Sequence, residues 1–263
     1  MRYYIFLFLL ALGAFANPAE PFLLGVQLRE IAANQEIPPK PLETTGLDPD
    51  LRGVLDLYYL NSLGGEAHWD TMKTLLTKGQ ILFPDGRTLD FKNYRKKPDL
   101  NRTILYLPKD FEMIQSFDGT EAWEWLTFAS DDPHQMPLEK SVDFIRDACF
   151  GSHLIYPLIP GKKLEYLGNR IVEGKQKIRI QVTLPNSQLL EIVLNASGYQ
   201  ISEETNQFIN GKKRRVVQSD FRKISGVAVP FKSQTFVDDK LVQEVRIDSA
   251  LFNQGVYSWM FKK

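Results

Sequence analysis

The chain has 263 residues with equal numbers of basic and acidic side chains, 32 of each, so its formal net charge is zero. Such a chain has no overall positive field for nucleic acid or an anionic membrane, and we expect no nucleic-acid partner. Its length allows one large domain, since all-β domains of about 200–250 residues are common. The single cysteine, Cys149, excludes an internal disulfide and, between Ala148 and Phe150, is predicted to be a buried apolar side chain.

Residues 1–16 have the pattern of a secretory signal peptide. Arg2 supplies the positive start, residues 4–12 are apolar, and Ala-Phe-Ala precedes Asn17. The apolar run is shorter than the ~20 residues of a membrane-spanning helix, so we expect cleavage and release into a periplasm-like compartment. Residues 17–50 contain several prolines and are predicted to be a leader or linker, part of which forms a short helix at 26–33.

Two short helices are predicted at 51–63 and 66–74, before a region of strands. Apolar side chains recur at helical spacing in the first helix, and Gly64-Gly65 follows it as a stop signal. In the second helix Met72 is expected to point inward. Strands are then predicted at 75–83, 87–94, 102–107, 111–117 and 121–128, with hairpin turns at the Asp-Gly pairs of residues 85–86 and 118–119.

A third helix is predicted at 137–150, within a helical insert at about 130–162 that interrupts the strands. The strand pattern resumes in seven segments separated by turn residues. These segments are 163–172, 175–184, 188–194, 200–209, 212–221, 228–237 and 241–251.

The pattern predicts a mainly β (α+β) fold, with one large, curved antiparallel sheet of ten to twelve strands and a few covering helices. Residues 177–183 alternate strictly between polar and β-branched apolar side chains, so one face of the sheet is wet and the other is buried. A sheet of that size must cover its apolar face with helices or curl around a cavity. With three helices available, we expect a cavity.

Several turn and core motifs resemble the periplasmic LolA/LolB-like superfamily, which includes outer-membrane lipoprotein-sorting proteins. The resemblance spans residues 51–252. Its motifs are LGGEAHW at 63–69, Gly79, FKNYRKKPD at 91–99, FDGTEAW at 117–123 and FRKISGVAVPF at 221–231.

The resemblance implies that residues 51–263 form a single unclosed half-barrel with helices over its concave mouth. The concave surface would hold acyl chains of a lipid or lipoprotein, possible cargo in transport to the outer membrane. On this interpretation the protein is a monomeric, non-enzymatic periplasmic carrier without a cofactor, and a membrane-associated protein is a possible donor or acceptor. The alternatives are an envelope docking module whose core is filled by its own side chains, and an esterase-like enzyme.

Two groups of residues are predicted to form the binding site. One lines the cavity, with ordinary core packing as the alternative role: Trp123, Trp125, Phe91, Ile104, Tyr106 and Met113. The other forms a movable lid on the third helix, with a fixed cover as the alternative: Leu138, Val142, Phe144 and Ile145.

No catalytic or metal-binding residue is predicted. The sequence lacks G-x-S-x-G, and its histidines, His68, His134 and His153, are not spaced as metal ligands. His134 follows two aspartates, for which capping and solvation are the expected roles. The basic run at 212–215 is predicted to be a solvated edge, with contact to anionic headgroups as the alternative.

Overall fold

A single antiparallel sheet of thirteen strands dominates the computed structural model, which describes residues 47–155, 161–208 and 210–263. The described residues form three α-helices, α1 (Pro49–Ser62), α2 (Glu66–Thr71) and α3 (Leu138–Asp147), and two short 3-10 helices, Pro108–Asp110 and Ser258–Phe261. The strands are β1 (Thr74–Leu82), β2 (Thr88–Lys96), β3 (Leu100–Leu107), β4 (Phe111–Phe117), β5 (Ala122–Leu126), β6 (His134–Gln135), β7 (Lys163–Val172), β8 (Lys175–Thr183), β9 (Leu189–Asn195), β10 (Ile201–Gln207), β11 (Lys213–Ile224), β12 (Val227–Val237) and β13 (Lys240–Phe252).

The sheet consists of two hairpin ladders joined at its centre. Strands β1 to β6 form one half and β7 to β13 the other, and β1 pairs with β13 between them. The sheet does not close: β6 ends one edge and β7 the other. The predicted curved, half-barrel fold class is therefore confirmed. The strand count exceeds the predicted ten to twelve because two residues of the insert, His134 and Gln135, pair with β5.

Helix α1 begins at a well-formed cap. The Asp48 carboxylate accepts hydrogen bonds from the backbone N–H groups of Asp50 at 2.9 Å and Leu51 at 3.2 Å, and Pro49 occupies the first turn. The helix ends before Gly64, whose φ of 80° lies in the left-handed region that suits glycine. These local signals explain why its bounds follow the prediction closely.

The apolar side of α1 packs against the second half of the sheet, together with α2. The buried apolar side chains that face it come mainly from β8, β9, β12 and β13, and we call the whole group the helix core. Its α1 and α2 members include Leu55, Tyr59 and Trp69, and its strand members include Ile180, Ile192 and Val229. Where α1 and α2 pack, the inner face of this half is filled by the protein's own side chains.

The join between β1 and β13 depends on Gly79. The register shifts between Lys78 and Gly79, and a Cβ added to Gly79 would overlap the backbone carbonyl oxygen of Arg246. Only glycine therefore allows the two halves to approach at this point.

Residues 1–46, with the predicted signal peptide, the 26–33 helix and most of the leader, lie outside the described residues. The predicted leader extends to residue 50, but its last two residues belong to α1. Among the residues described, no helix has the length and apolar character needed to span a membrane.

Candidate functional site

The inner face of the sheet is the side on which α1 packs. Directly opposed residues of antiparallel strands share a face, so the strand register extends this inner face into the first half of the sheet. Three inner-face positions from each of β2 to β5 align there as three rows across the sheet.

The first row is apolar and belongs to a cluster that we call the strand cluster. Its buried members are Phe91, Leu105, Leu107 and Met113, with the partly buried Ile81, Phe83, Leu89, Leu126, Val245 and Ile247 packed around them. All of these residues lie in strands or in the β1–β2 turn. In the described chain, the strand cluster therefore differs from the helix core in having no helix residue.

The second row is polar. The Asn93 amide donates hydrogen bonds to the Asn101 side-chain oxygen at 2.7 Å and to the Thr103 hydroxyl at 2.9 Å. Gln115 donates to the buried Glu124 carboxylate at 3.4 Å, and Lys140 of α3 forms a short ion pair with the same carboxylate. This polar row adjoins the strand cluster and offers donors, acceptors and one cation.

Helix α3 packs against the third row. Phe144 and Ile145 contact a buried group formed by Phe117, Ala122, Met136 and Ala148. The helix thus covers the end of the inner face that lies beyond the polar row, away from the strand cluster.

Polar contacts attach α3 and the residues after it to both halves of the sheet. From β2, the Arg95 guanidinium donates to the backbone carbonyls of Asp147 at 2.7 Å and Cys149 at 3.3 Å. From β11, Arg214 forms an ion pair with the Asp147 carboxylate at 3.0 Å. Because Arg95 and Arg214 come from opposite halves, the end of α3 acts as a tie across the sheet.

The electrostatics of this tie depend on Asp147. Burial alone would raise the pKa of its carboxyl, but Arg214 and Arg146 outweigh burial and lower it. Burial and the negative charge of Asp147 raise the pKa of Glu204 on β10. The arginines therefore favour the ionised form of Asp147, whereas the surroundings of Glu204 shift its carboxyl toward the protonated form.

The segment after α3 is fixed to α1. Ser152 and Tyr58 form a buried hydrogen bond of 3.0 Å between their hydroxyl oxygens, and burial raises the pKa of the Tyr58 phenol. The Cys149 thiol donates to the Ser152 carbonyl at 3.3 Å and, contrary to the prediction, is only partly buried.

A cavity of about 600 Å³ lies between α3 and the ends of the β8 to β11 strands. Val142 contributes its α3 wall, and Leu190 and Phe208 contribute apolar walls on the sheet side. Most of the remaining lining carries amide or hydroxyl groups, including Asn186, Gln188 and Asn206, so this space is more polar than the strand cluster.

The structure separates the six residues predicted to line a cavity. Phe91 and Met113 are members of the strand cluster on the inner face. The register places Trp123, Trp125, Ile104 and Tyr106 on the outer face. The six therefore do not form one surface, and lipid contact by any of them remains a prediction.

The C-terminal residues explain why Trp123 is buried on the outer face. Its indole N–H donates to the Phe261 carbonyl at 2.8 Å, and Phe261 itself has no exposed surface. Trp125 donates instead to the Ser130 carbonyl at 2.9 Å. The two tryptophans share a face as predicted, but Trp123 is covered by the C-terminal tail and not by the helical insert.

The four residues predicted to form a lid all lie on α3, but their side chains have different surroundings. Phe144 and Ile145 pack inward, Val142 lines the cavity, and Leu138 is 38% exposed. Movement of α3 as a lid remains a prediction.

The histidines occupy separate places. His68 shares a 2.6 Å hydrogen bond with the Ser225 carbonyl, His134 lies 3.6 Å from the Glu124 carboxylate, and His153 is buried. Within the described ranges, no three His, Cys, Asp or Glu side chains converge on a possible metal position.

The residues that tie α3 to the sheet were missed in the sequence. Arg214 belongs to the basic run predicted to be a solvated edge, yet its side chain is 15% exposed and directed at Asp147. The physical reason is strand alternation, which sends Arg214 inward and Arg215 outward. The alternation was readable in the sequence, but the buried acid that Arg214 meets was not.

Comparison with known proteins gives matches in structure alone: no family model matches the chain, and no curated protein matches it. A LolA superfamily protein from Nitrosomonas europaea has a TM-score of 0.56 at 11% identity, covering 81% of this chain and 97% of that one. A domain described as an outer membrane lipoprotein-sorting protein, from Vibrio parahaemolyticus, has a TM-score of 0.55 at 12% identity, with coverages of 81% and 97%. A DUF1329 family protein from Desulfovibrio piger has a TM-score of 0.58 at 13% identity, with coverages of 82% and 98%.

The described sheet and these likenesses define a class of fold: an unclosed antiparallel half-barrel with helices on its inner face. More particularly, the fold is LolA-like, as the sequence motifs predicted. At these identities the likeness describes the fold alone.

Proposed function

We propose that this protein is a non-enzymatic periplasmic carrier that holds the acyl chains of a lipid or lipoprotein against the strand cluster. The observation that carries the proposal is the composition of that cluster, an apolar group on the inner face of a LolA-like half-barrel with no described helix residue in it. The signal-peptide pattern at residues 1–16 supports export, and the Vibrio domain's description as a lipoprotein-sorting protein supports the cargo class.

The three rows suggest how a lipid would be oriented. Acyl chains would pack on the apolar row, where each buried CH₂ contributes roughly 0.8 kcal/mol without a directional contact. The ester or headgroup would meet the polar row, where it would exchange places with the groups that Asn93, Gln115 and Lys140 now contact within the row. An amphiphile thus matches the order of the rows better than a purely apolar ligand does.

Release requires a difference in affinity between two states of the carrier or between carrier and acceptor. In our proposal α3 provides the two states, because Arg95 and Arg214 attach it to opposite halves of the sheet. Separation of these contacts would free the row beneath Phe144 and Ile145 and widen the site.

The first test is extraction and mass spectrometry of lipid from gently purified protein, followed by titration with a fluorescent fatty acid. Leu105→Asp places a charge in the strand cluster and is expected to weaken binding by about tenfold or more. Ile104→Asp is the comparison variant, because it places the same charge one residue away on the outer face of the same strand; a larger loss of binding for Ile104→Asp would move the lipid contact to that face.

A second variant covers the case in which Leu105→Asp does not fold. Met113→Trp fills the strand cluster without adding charge and is expected to reduce the amount of bound lipid. Equal binding by wild type, Leu105→Asp and Met113→Trp, all folded by circular dichroism, would contradict the site.

An envelope docking module is the second candidate. The helix core favours it, because α1 and α2 already cover part of the inner face of one half of the sheet. Protein that purifies without lipid and leaves the fatty-acid probe unbound would support this candidate over the carrier.

A further inference from the structure

Two aromatic side chains at the C-terminus are unusually exposed. Tyr257 is 59% exposed and Trp259 is 71% exposed, although large aromatic residues generally bury most of their surface. Their rings stack on each other, with centroids 6.4 Å apart and an angle of 7° between the planes. They form a flat aromatic pair directed at solvent.

The pair stands on a fixed base. Phe261 is fully buried, and its carbonyl accepts hydrogen bonds from the Ser116 hydroxyl at 2.9 Å and from the Trp123 indole at 2.8 Å. Arg102 donates to the Met260 carbonyl, and the Lys96 ammonium donates to the Ser258 hydroxyl at 2.7 Å. The tail is therefore held in place on the outer face, so that exposure of the pair does not result from a loose end.

The surroundings of the pair are basic. Lys262 and Lys263 follow it in the chain, and Lys96 and Arg102 contact the tail from β2 and β3. Glu121 pairs with Lys263 at 3.2 Å and offsets one of these charges. The protein as a whole is neutral, so this positive charge is local.

We propose that residues 257–263 form a docking surface for a bilayer that contains anionic lipid. Tyrosine and tryptophan favour the headgroup region, since they combine an apolar ring with a polar N–H or O–H group. Lysines near a membrane surface are attracted by its negative charge. A bilayer offers both partners at once, an apolar layer for the rings and a diffuse anionic layer for the lysines.

This surface is separate from the proposed cargo site. The tail packs on the outer face through Ser116 and Trp123, whereas the strand cluster lies on the inner face. Loss of one activity should therefore leave the other unchanged, and the two proposals can fail independently.

The test is co-sedimentation of the full-length mature protein with vesicles of phosphatidylcholine, with and without about 30% phosphatidylglycerol. We expect binding to the anionic vesicles that weakens at high salt. The Tyr257→Ala/Trp259→Ala double variant is expected to bind the anionic vesicles at least about tenfold more weakly than the wild type. Replacing Lys262 or Lys263 by glutamine is expected to weaken binding about fivefold. Trp259→Phe, which keeps a ring, is expected to retain an intermediate affinity.

The control removes exposed apolar surface elsewhere. Leu60→Ala and Ile171→Ala replace side chains that are 63% and 79% exposed on α1 and β7, and they are expected to bind vesicles like the wild type. Brominated lipids should quench the fluorescence of Trp259 in the wild type. The tryptophan fluorescence of the Trp259→Phe variant should not change.

Three results would overturn the proposal. They are unchanged vesicle binding by the double variant, absence of binding by the wild type, and self-association in ultracentrifugation that the double variant abolishes. The last result would assign the aromatic pair to a second copy of the chain. Fatty-acid binding by the double variant, measured in parallel, reports separately on the cargo site.

Discussion

Two titratable side chains, Asp99 and His153, give the folding free energy opposite dependences on pH. Burial raises the pKa of Asp99 to about 6, above the ordinary value of 3.8 for an aspartate. Burial, followed by the positive charge of Lys162, lowers the pKa of His153 to about 4, below the ordinary value of 6.5 for a histidine. Each shift means that the uncharged form is favoured in the folded protein.

The signs follow from which state binds protons more tightly. Folded Asp99 holds its proton more tightly than the unfolded chain does, so its contribution to stability falls as pH rises from about 4 to about 6. Folded His153 resists protonation, so its contribution is fully present above about pH 6.5 and is lost as pH falls to about 4. The two contributions therefore partly cancel in mildly acidic solution.

We predict that Asp99→Asn removes this cancellation. At neutral pH the variant should be more stable than the wild type, by at most about 3 kcal/mol, because no carboxylate is desolvated. On acidification it should lose stability more steeply than the wild type, whereas His153→Gln should lose less. Urea unfolding of the three proteins between about pH 4 and pH 7 checks this, and parallel curves for all three would contradict it.

At the scale of elements, the pairing of β1 with β13 depends on close approach of the two backbones. Gly79 faces the Arg246 carbonyl, and neither backbone can shift without breaking ladder hydrogen bonds on both sides. A methyl group added at Gly79 would therefore strain the pairing of β1 with β13, which joins the two halves of the sheet.

We predict that Gly79→Ala lowers the free energy of unfolding by about 2 kcal/mol or more. Gly53→Ala is the matched control: Gly53 lies inside α1 with open space around it, so alanine should raise stability by up to about 1 kcal/mol. Denaturant unfolding checks that the free energy of unfolding falls in Gly79→Ala and rises in Gly53→Ala. A Gly79→Ala protein as stable as Gly53→Ala would show that the join tolerates a side chain.

The elements themselves were largely predictable from local signals. The predicted bounds of helix α1, 51–63, lie close to the observed Pro49–Ser62. The agreement is close because the residues that cap and end this helix are local sequence signals. The inward face of β5 was not predictable in the same way. Ala122 and Leu126 face one side of this strand and Trp123 the other, so both sides are apolar. Alternation cannot distinguish such faces, and the residue that covers Trp123 is 138 positions away.

At the scale of the molecule, the two halves share one sheet but differ in how they are filled. The helix core occupies the second half, and the strand cluster and α3 occupy the first. The number of hairpins and the apolar face were predictable because they are local patterns. The pairing of the first strand with the last, and the tie that α3 makes across both halves, depend on long-range contacts that local patterns do not encode.

We predict that a bound acyl ligand stabilises both halves together. A ligand present at about 100 times its Kd should raise the free energy of unfolding by about 2.7 kcal/mol if it binds only the folded protein. Amide hydrogen exchange should then slow in β3 and β4, which line the strand cluster, and also in β9 and β12. Protection confined to the first half would show that β1–β13 pairing and α3 do not couple the halves.

The unclosed sheet has a consequence for the behaviour of the protein in a crowded compartment. A free strand edge is a template on which another chain can add, and long flat edges lead to aggregation. Here one edge is β6, which is only two residues long. The other edge, β7, is broken by a register shift between Tyr166 and Gly168 and exposes Lys163, Glu165 and Arg170. The half-barrel thus keeps the open shape that access to its interior requires, while neither rim offers a second molecule a smooth strand on which to polymerise.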